Sequence, residues 1–241
     1  MNNPAEIYSK LLSAYGKQGW WPATPEGKTS PVYGLKQHTK KQKLEIIFGA
    51  ILTQNTSWKN AEKAITELNK KNLINTDKII EITENELAQL IKSAGYYNQK
   101  AKRLKNVCTF LKQTPGIEKK ENARELLLAV NGIGNETADS ILLYAFSRPA
   151  FVIDAYTKRI FSRIGMIKKE ADCEEAQKIF SGLEKNTEMF SEYHALIVEH
   201  AKKHCRKNPK CEGCVIKEKC KTNFLMKPPL SQHKRNACQT L

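Results

Sequence analysis

Apolar residues recur at helical spacing along almost the whole chain, and few runs alternate apolar with polar as a strand requires. Leu44, Ile47, Phe48, Ile51 and Leu52 fall on one helix face, as do Leu87, Leu90 and Ile91, then Leu104, Val107 and Leu111. The pattern continues through Leu126, Leu127 and Val130, residues 141–146, Ile153 to Ile164, and Tyr193 to Ala201. Short breaks interrupt it at 72–77, 95–98, 114–116, 132–134 and 147–149. This predicts an all-α protein of about ten short helices joined by short loops. Residues 22–43, rich in Pro, Gly and Lys, read as a loop, and residues 227–241 as a poorly ordered tail. A chain of 241 residues is long enough to bury a sizeable core in one large or two small domains.

Charge narrows the choice of partner. The formal net charge is +15, which suits a polyanion, either nucleic acid or an acidic membrane surface; the plain alternative is a soluble basic protein. No apolar run approaches a membrane span and the first twenty residues lack a signal-peptide pattern, so a cytoplasmic, nucleoid-associated monomer is expected. From Ala201 to Leu241 there are eleven Lys and Arg against two Glu, a net +9 of the total. A second basic run, Lys100, Lys102, Arg103 and Lys105, is either a polyanion-binding stripe or a solvated helix face.

Between residues 131 and 154 the chain reads NGIGNETADSILLYAFSRPAFVID. Gly132-Ile133-Gly134 makes a tight turn that feeds an apolar helix. The first amides of such a helix lack intrahelical acceptors, and its dipole favours an anion, here a nucleic-acid phosphate. A plain helix–helix turn would read the same way. Asp154 precedes another apolar-periodic stretch and reads as an N-cap.

Seven cysteines in a cytosolic chain argue against a disulfide framework. Cys108 and Cys173 stand alone in helical patterns, and Cys238 lies in the tail. The remaining four, Cys205, Cys211, Cys214 and Cys220, are spaced C-x5-C-x2-C-x5-C. Zinc and a [4Fe-4S] cluster both accept four thiolates. A zinc ribbon uses two short CxxC knuckles, and this chain has one, so the spread spacing favours the iron–sulfur cubane.

The order of Gly-x-Gly turn, VID segment and four-Cys loop, from about Leu44 to Cys220, resembles the endonuclease III branch of the helix-hairpin-helix (HhH-GPD) DNA glycosylases. That resemblance implies a [4Fe-4S] cluster on the four Cys. The family's first gap usually holds six residues; here it holds five, which places His204 at the expected position and Cys205 one place later. It implies Asp154 as the catalytic aspartate, stabilising oxocarbenium character at the sugar and orienting the attacking water. It implies phosphate binding by Gly132, Ile133, Gly134, Asn135 and Thr137, with a monovalent cation on carbonyls of the turn. In AILTQNTSW it implies Gln54 as a plug that fills the gap left by a flipped base, beside Asn55 and Thr56, with Tyr96 as a wedge on the other strand. Bifunctional members carry a Lys two residues after the second Gly; here Glu136 stands there, and a carboxylate cannot form an imine.

The tryptophans refine the resemblance. Trp20-Trp21-Pro22, with Trp58 four residues after Gln54, is similar to the 3-methyladenine glycosylase branch. Core packing is the usual fate of Trp. An electron-rich pocket of Trp20, Trp21 and Trp58, with Lys202 beside it, would stack well on a cationic alkylated base. The expected protein is thus two-lobed: a helical barrel over 36–149 ending in the hairpin at about 118–147, and a cluster lobe formed by 1–35 and 150–241 with its four-Cys loop at 205–220. The expected function is a monofunctional DNA glycosylase releasing an alkylated purine from damaged double-stranded DNA. A glycosylase for oxidised pyrimidines or a mispaired base is one alternative, and a non-catalytic DNA-binding module another.

Overall fold

A computed structural model describes residues 3–35 and 38–224. The expected tail at 227–241, with Cys238, lies outside them. Among the described residues there is no strand beyond one bridge between Ala23 and Val32, and no helix is long and apolar enough to cross a membrane.

Helix starts follow the capping chemistry written in the chain. Asn3 caps α1 (Pro4–Tyr15), and Thr39 with Gln42 forms a capping box on α2 (Lys40–Leu52). The helix therefore begins inside the segment expected to be loop as far as residue 43, because that box supplies its first turn with acceptors. Next come α3 (Trp58–Lys70), α4 (Thr76–Glu81) capped by Asn75, and α5 (Glu84–Leu90) with a Thr83–Glu86 capping box. Helix α6 (Tyr97–Gln113) starts from Tyr96, whose φ of 46° is left-handed. Helices α7 (Ala123–Leu128) and α8 (Asn135–Ser140) form a hairpin across the Gly132–Gly134 turn.

The stretch expected to be ordinary α-helix at 141–146 winds instead as a π-helix over Ile141–Ala145, with all five residues buried. The wider turn rotates the last side chains, Tyr144 among them, relative to an α continuation. Then follow α9 (Ala155–Arg163), capped by Asp154, α10 (Cys173–Lys178), capped by Asp172, and α11 (Thr187–Lys203), capped by Asn186.

Helix α2 is buried nearly all round from Glu45 to Leu52 and packs against α3, α6, α8 and the π segment. Helix α6 also packs on α4 and α5. At the other end of the molecule α1 lies on α11, and α11 on α9 and the π segment. The chain's first helix is thereby tied to its last long one, with Tyr193 donating from its hydroxyl to the Pro4 carbonyl at 2.7 Å.

Lys100 corrects the reading of the second basic run. Its side chain is only 1% exposed, and its Nζ donates to the carbonyls of Leu52 (2.9 Å) and Ala94 (2.8 Å). Burial first, then the nearby Arg103 charge, lowers its pKa to about 8. Lys105 donates to the Ile80 carbonyl at 2.6 Å and Arg103 bonds the Gln54 side chain, which leaves Lys102 as the exposed member. Helix ends on α2 and α4 need donors for their last carbonyls, and these lysines supply them.

Candidate active site

The hairpin, the start of α9 and the loop after α2 converge on one groove of about 680 Å³, lined by Gln54, Asn55, Gly132, Gly134, Glu136 and Asp154, with Arg103 and Lys158 on its walls. The two hairpin glycines differ in why they are glycine. Gly132 has φ of 95°, and a Cβ there would lie 2.3 Å from Arg103 Cγ, so backbone and packing both demand it. Gly134 is extended, and a Cβ would meet nothing within 4 Å. Its approach is open on the groove side, where the first-turn amides of α8 lack intrahelical acceptors. Ile133 is buried and pins the turn into the core.

The loop expected to penetrate the duplex is tied to that hairpin. Gln54 Nε2 donates to the Gly132 carbonyl (3.0 Å) and to Thr137 Oγ1 (2.9 Å), while Arg103 donates to Gln54 Oε1. Asn55 has φ of 53° and is exposed; Thr56 Oγ1 accepts from Asn60. Tyr96 is 66% exposed on its left-handed backbone. A bulky residue held at positive φ carries roughly 1–3 kcal/mol of strain, and such strain collects at functional positions. Asn135 Oδ1 accepts from Arg124, whose guanidinium also pairs with Asp139 at 2.7 and 3.1 Å across the hairpin.

Asp154 combines both roles that the sequence offers it. One carboxylate oxygen caps α9 by accepting from Thr157 N at 2.6 Å. The other lies 3.6 Å from His194 Nε2, longer than a good hydrogen bond but within ion-pair distance. Asp154 is 7% exposed. Burial would raise its pKa, but the His194 imidazole and the Thr157 hydrogen bonds outweigh burial and hold it below the usual carboxylate range. Glu136 is solvent-accessible yet walled in by the groove; that enclosure, followed by the Asp154 charge, raises its pKa, and His194 draws it back in part. The groove thus holds two carboxylates of different character, one biased toward the ion and one toward the acid.

Behind Asp154 stands an aromatic cluster. His194 Nδ1 is 2.7 Å from Tyr144 Oη, and the His194 ring meets Trp20 edge-on at 5.8 Å. Trp20 contacts Trp21, which contacts Trp58 at 5.6 Å and Tyr144 at 5.1 Å. Lys202 Nζ sits 5.8 Å from the Trp20 ring centroid. The four residues expected to shape a base pocket are therefore contiguous, although they differ in exposure. Trp21 is buried with its indole against Gly49 and forms a wall; Trp20 and Trp58 are half-buried. Trp20, Trp21, Tyr33 and Tyr144 line a cavity of about 780 Å³ with the carboxylate of Glu192, which accepts from the backbone N–H of Gln18 and Gly19.

The four cysteines of the loop line one cavity, together with His200, His204 and Arg163. Arg163 donates to Cys205 Sγ at 3.2 Å and to the carbonyls of Arg206 and Lys207, and Arg159 donates to the Cys205 carbonyl. Cys214 has its pKa raised by burial and also by the charges of Cys205, Cys211 and Cys220. His204 is partly engaged already, with Nδ1 3.1 Å from the Lys210 carbonyl. Among the described residues no three His, Cys, Asp or Glu side chains gather round a single-ion site.

Arg103 belongs to the second basic run read from the sequence; His194, Tyr144, Lys158 and Glu192 were not singled out there. His194 and Glu192 sit within one apolar helical stretch, and Tyr144 within another, where neither pattern nor spacing distinguishes them from core residues.

Residues 48–185 match the family model for the HhH-GPD superfamily base excision DNA repair protein. A Methanocaldococcus jannaschii protein assigned as a DNA repair glycosylase is 48% identical over 89% of this chain and 94% of its own length. Endonuclease III of Sulfolobus acidocaldarius is 32% identical over 73% of this chain and 80% of its own. Among solved structures, a Helicobacter pylori 3-methyladenine DNA glycosylase bound to 1,N6-ethenoadenine superimposes with a TM-score of 0.66 at 29% identity, covering 83% of this chain and 98% of that one. A trapped endonuclease III–DNA covalent intermediate shares the fold, with a TM-score of 0.72 at 20% identity, over 93% of this chain and 99% of that one.

Proposed function

Because this chain belongs to the HhH-GPD superfamily of base excision DNA repair proteins, we propose that it is a monofunctional DNA glycosylase that releases an alkylated purine from double-stranded DNA. The observation that carries the reading is the contiguity of Asp154, through His194 and Tyr144, with the Trp20–Trp21–Trp58 cluster. A purine in DNA alkylated at N3 or N7 is cationic and electron-poor. Aromatic faces and the Glu192 carboxylate favour such a base over a neutral one. The 29% identical structural neighbour is, by its name, a 3-methyladenine DNA glycosylase, which supports the same class.

In this reading phosphates of the damaged strand lie on the amides at Gly134 and Asn135, with Arg103 and Lys158 alongside, and a monovalent cation sits on carbonyls of the Gly132–Gly134 turn. Gln54 and Tyr96 occupy the space left by the extruded base. As the N-glycosidic bond breaks, positive charge grows on the sugar. Asp154, aimed by its cap bond and kept ionised, stabilises that charge and orients the attacking water. Alkylation already makes the base a good leaving group, so little acid assistance is needed. Glu136 supplies no amine, and base release proceeds without an imine.

Cys205, Cys211, Cys214 and Cys220 would hold a [4Fe-4S] cluster, with Cys205 as the first ligand because its sulfur, facing the shared cavity, accepts from Arg163. The cluster would cross-link the Lys-rich loop and so shape a basic surface for DNA. Relatives named endonuclease III, such as the one 32% identical, favour a second reading, release of oxidised pyrimidines. Duplexes carrying methylated purines, oxidised pyrimidines and mispairs, with the liberated bases identified, decide between them. Release of methylated purines alone is the expected result. Release confined to oxidised pyrimidines overturns the substrate, and borohydride trapping of an imine overturns the monofunctional mechanism.

A further inference from the structure

The side chain facing Asp154 belongs to none of the motifs that identify the superfamily in this chain. His194 lies in the middle of α11 and is 4% exposed. Its Nε2 has no hydrogen-bond partner and points at Asp154 Oδ2 across 3.6 Å. Its other nitrogen is fixed, 2.7 Å from Tyr144 Oη, and the same hydroxyl lies a longer 3.2 Å from the Ser191 carbonyl. Trp20 closes one side of the ring edge-on. An imidazole held on three sides, with one nitrogen left over and aimed at a buried carboxylate, has a defined orientation and a single outlet. With Nδ1 accepting the single Tyr144 proton over the shorter of its two contacts, Nε2 carries the ring proton and turns it toward Asp154 at ion-pair rather than hydrogen-bond distance.

We propose that His194, oriented by Tyr144, is a positioning residue for base release: it fixes the direction in which the Asp154 carboxylate is held at the groove. The inference rests on the glycosylase reading above. Three features support it. The α9 cap bond uses one carboxylate oxygen and leaves the other free to rotate its proton state unless something opposes it. Asp154 lies close enough to Glu136, on α8, to raise the Glu136 pKa, while His194 is the charged partner that lowers that of Asp154 against its burial. Tyr144 lies on the π turn, and its ring meets that of His194 tilted at 5.9 Å with the hydroxyl at Nδ1, so the group that orients His194 sits on the one non-α stretch of this helix.

The groups facing this pair come from four elements: Asp154 and Lys158 from α9 and its cap, Glu136 from α8, Tyr144 from the π segment, and Glu192 and Lys202 from α11 itself. Glu192 is committed to the amides of Gln18 and Gly19, and Lys202 to the face of Trp20. His194 is therefore the group among them placed to answer the Asp154 charge directly. When an abasic sugar or a trapped water competes for Asp154 Oδ2, the Tyr144–His194 pair still fixes the direction from which the carboxylate is held.

Single-turnover base release from methylated duplex, followed across pH on the full chain, tests this. His194→Leu is expected to lose on the order of 10²-fold in rate and to shift the acid limb of its pH profile upward, because Asp154 then protonates more easily. Affinity for the duplex is expected to stay within about threefold. His194→Gln, whose amide N–H reaches where Nε2 does, is expected to keep most of the rate. His194→Asn, whose amide stops at the Tyr144 side, is expected to behave as Leu, which separates positioning from mere packing. If the Leu variant fails to fold, the Gln and Asn pair decides. Equal rates and equal acid limbs for Gln and Asn overturn the proposal, as does wild-type behaviour of a folded His194→Leu. Failure of the wild-type protein to release any base removes the glycosylase reading and this inference with it. Release by wild type with no effect at His194 removes this inference alone.

Discussion

Replacing Asp154 separates its two structural roles, because Asn and Ala differ in only one of them. Asp154 caps α9 through Thr157 N at 2.6 Å, and Asn is as good an N-cap as Asp. Asp154→Ala loses the cap, which costs about 1 kcal/mol; for a protein of this size that lowers Tm by about 2–4 °C. Asp154→Asn keeps the cap and loses the charge, so its Tm is expected to fall less. Both lose the anion that answers the developing sugar charge. Acid–base assistance and fixed electrostatics are each typically worth 10²-fold or more, so base release is expected to fall about 10³-fold in either variant, or ~4 kcal/mol of barrier.

The measurements are calorimetry and single-turnover release of methylated bases. Two results refute the reasoning: Asp154→Asn working at the wild-type rate, or the two variants separating in rate as they do in melting. The second would mean that the cap alone matters. The pH dependence of stability supplies a sign check on the environment. The pKa of Asp154 is depressed in the fold, so its ionised form contributes stability above the unfolded value of about 3.9. The gap in stability between wild type and Asp154→Asn is expected to be full above about pH 4 and to close as pH falls through the folded pKa.

Gly132→Ala places a Cβ at positive φ and 2.3 Å from Arg103 Cγ; backbone strain plus loss of the Arg103–Gln54 bond is expected to cost roughly 2–4 kcal/mol in a denaturant titration. An unchanged midpoint would show that Arg103 relaxes freely. Tyr96→Gly and Tyr96→Ala should both lose about tenfold or more of base release from duplex, while the Gly variant melts about 2–4 °C higher than the Ala variant because only Gly relieves the left-handed strain. Equal melting temperatures would remove the strain argument. Anaerobically purified protein is expected to be brown, with about four irons per chain, and Cys214→Ala to lose that colour. A colourless, zinc-containing wild type would contradict the cluster.

Much of this molecule was legible in the chain because its determinants are local. Apolar spacing fixes which segments are helices, and Asp154 marks where one of them begins, since a capping side chain acts within one turn; Thr39 does the same for α2 inside a stretch that composition reads as loop. The Gly132–Gly134 turn, the missing amine at Glu136 and the four-Cys spacing are local in the same sense. Other features depended on distance through space. Lys100 reads as one more surface charge, yet it is buried with its ammonium on the Leu52 carbonyl at the end of α2, 48 residues away, and on the nearby Ala94 carbonyl. The change from α to π at Ile141 lies where the helix packs between α2 and α11, and single-residue propensity does not register it. The same holds for the meeting of Tyr144 with His194, 50 residues away, and of His194 with Asp154. Sequence alone determines the reactive groups and the helices that carry them; the tertiary structure decides which groups share a low-dielectric site, and that sharing sets their charge and aim.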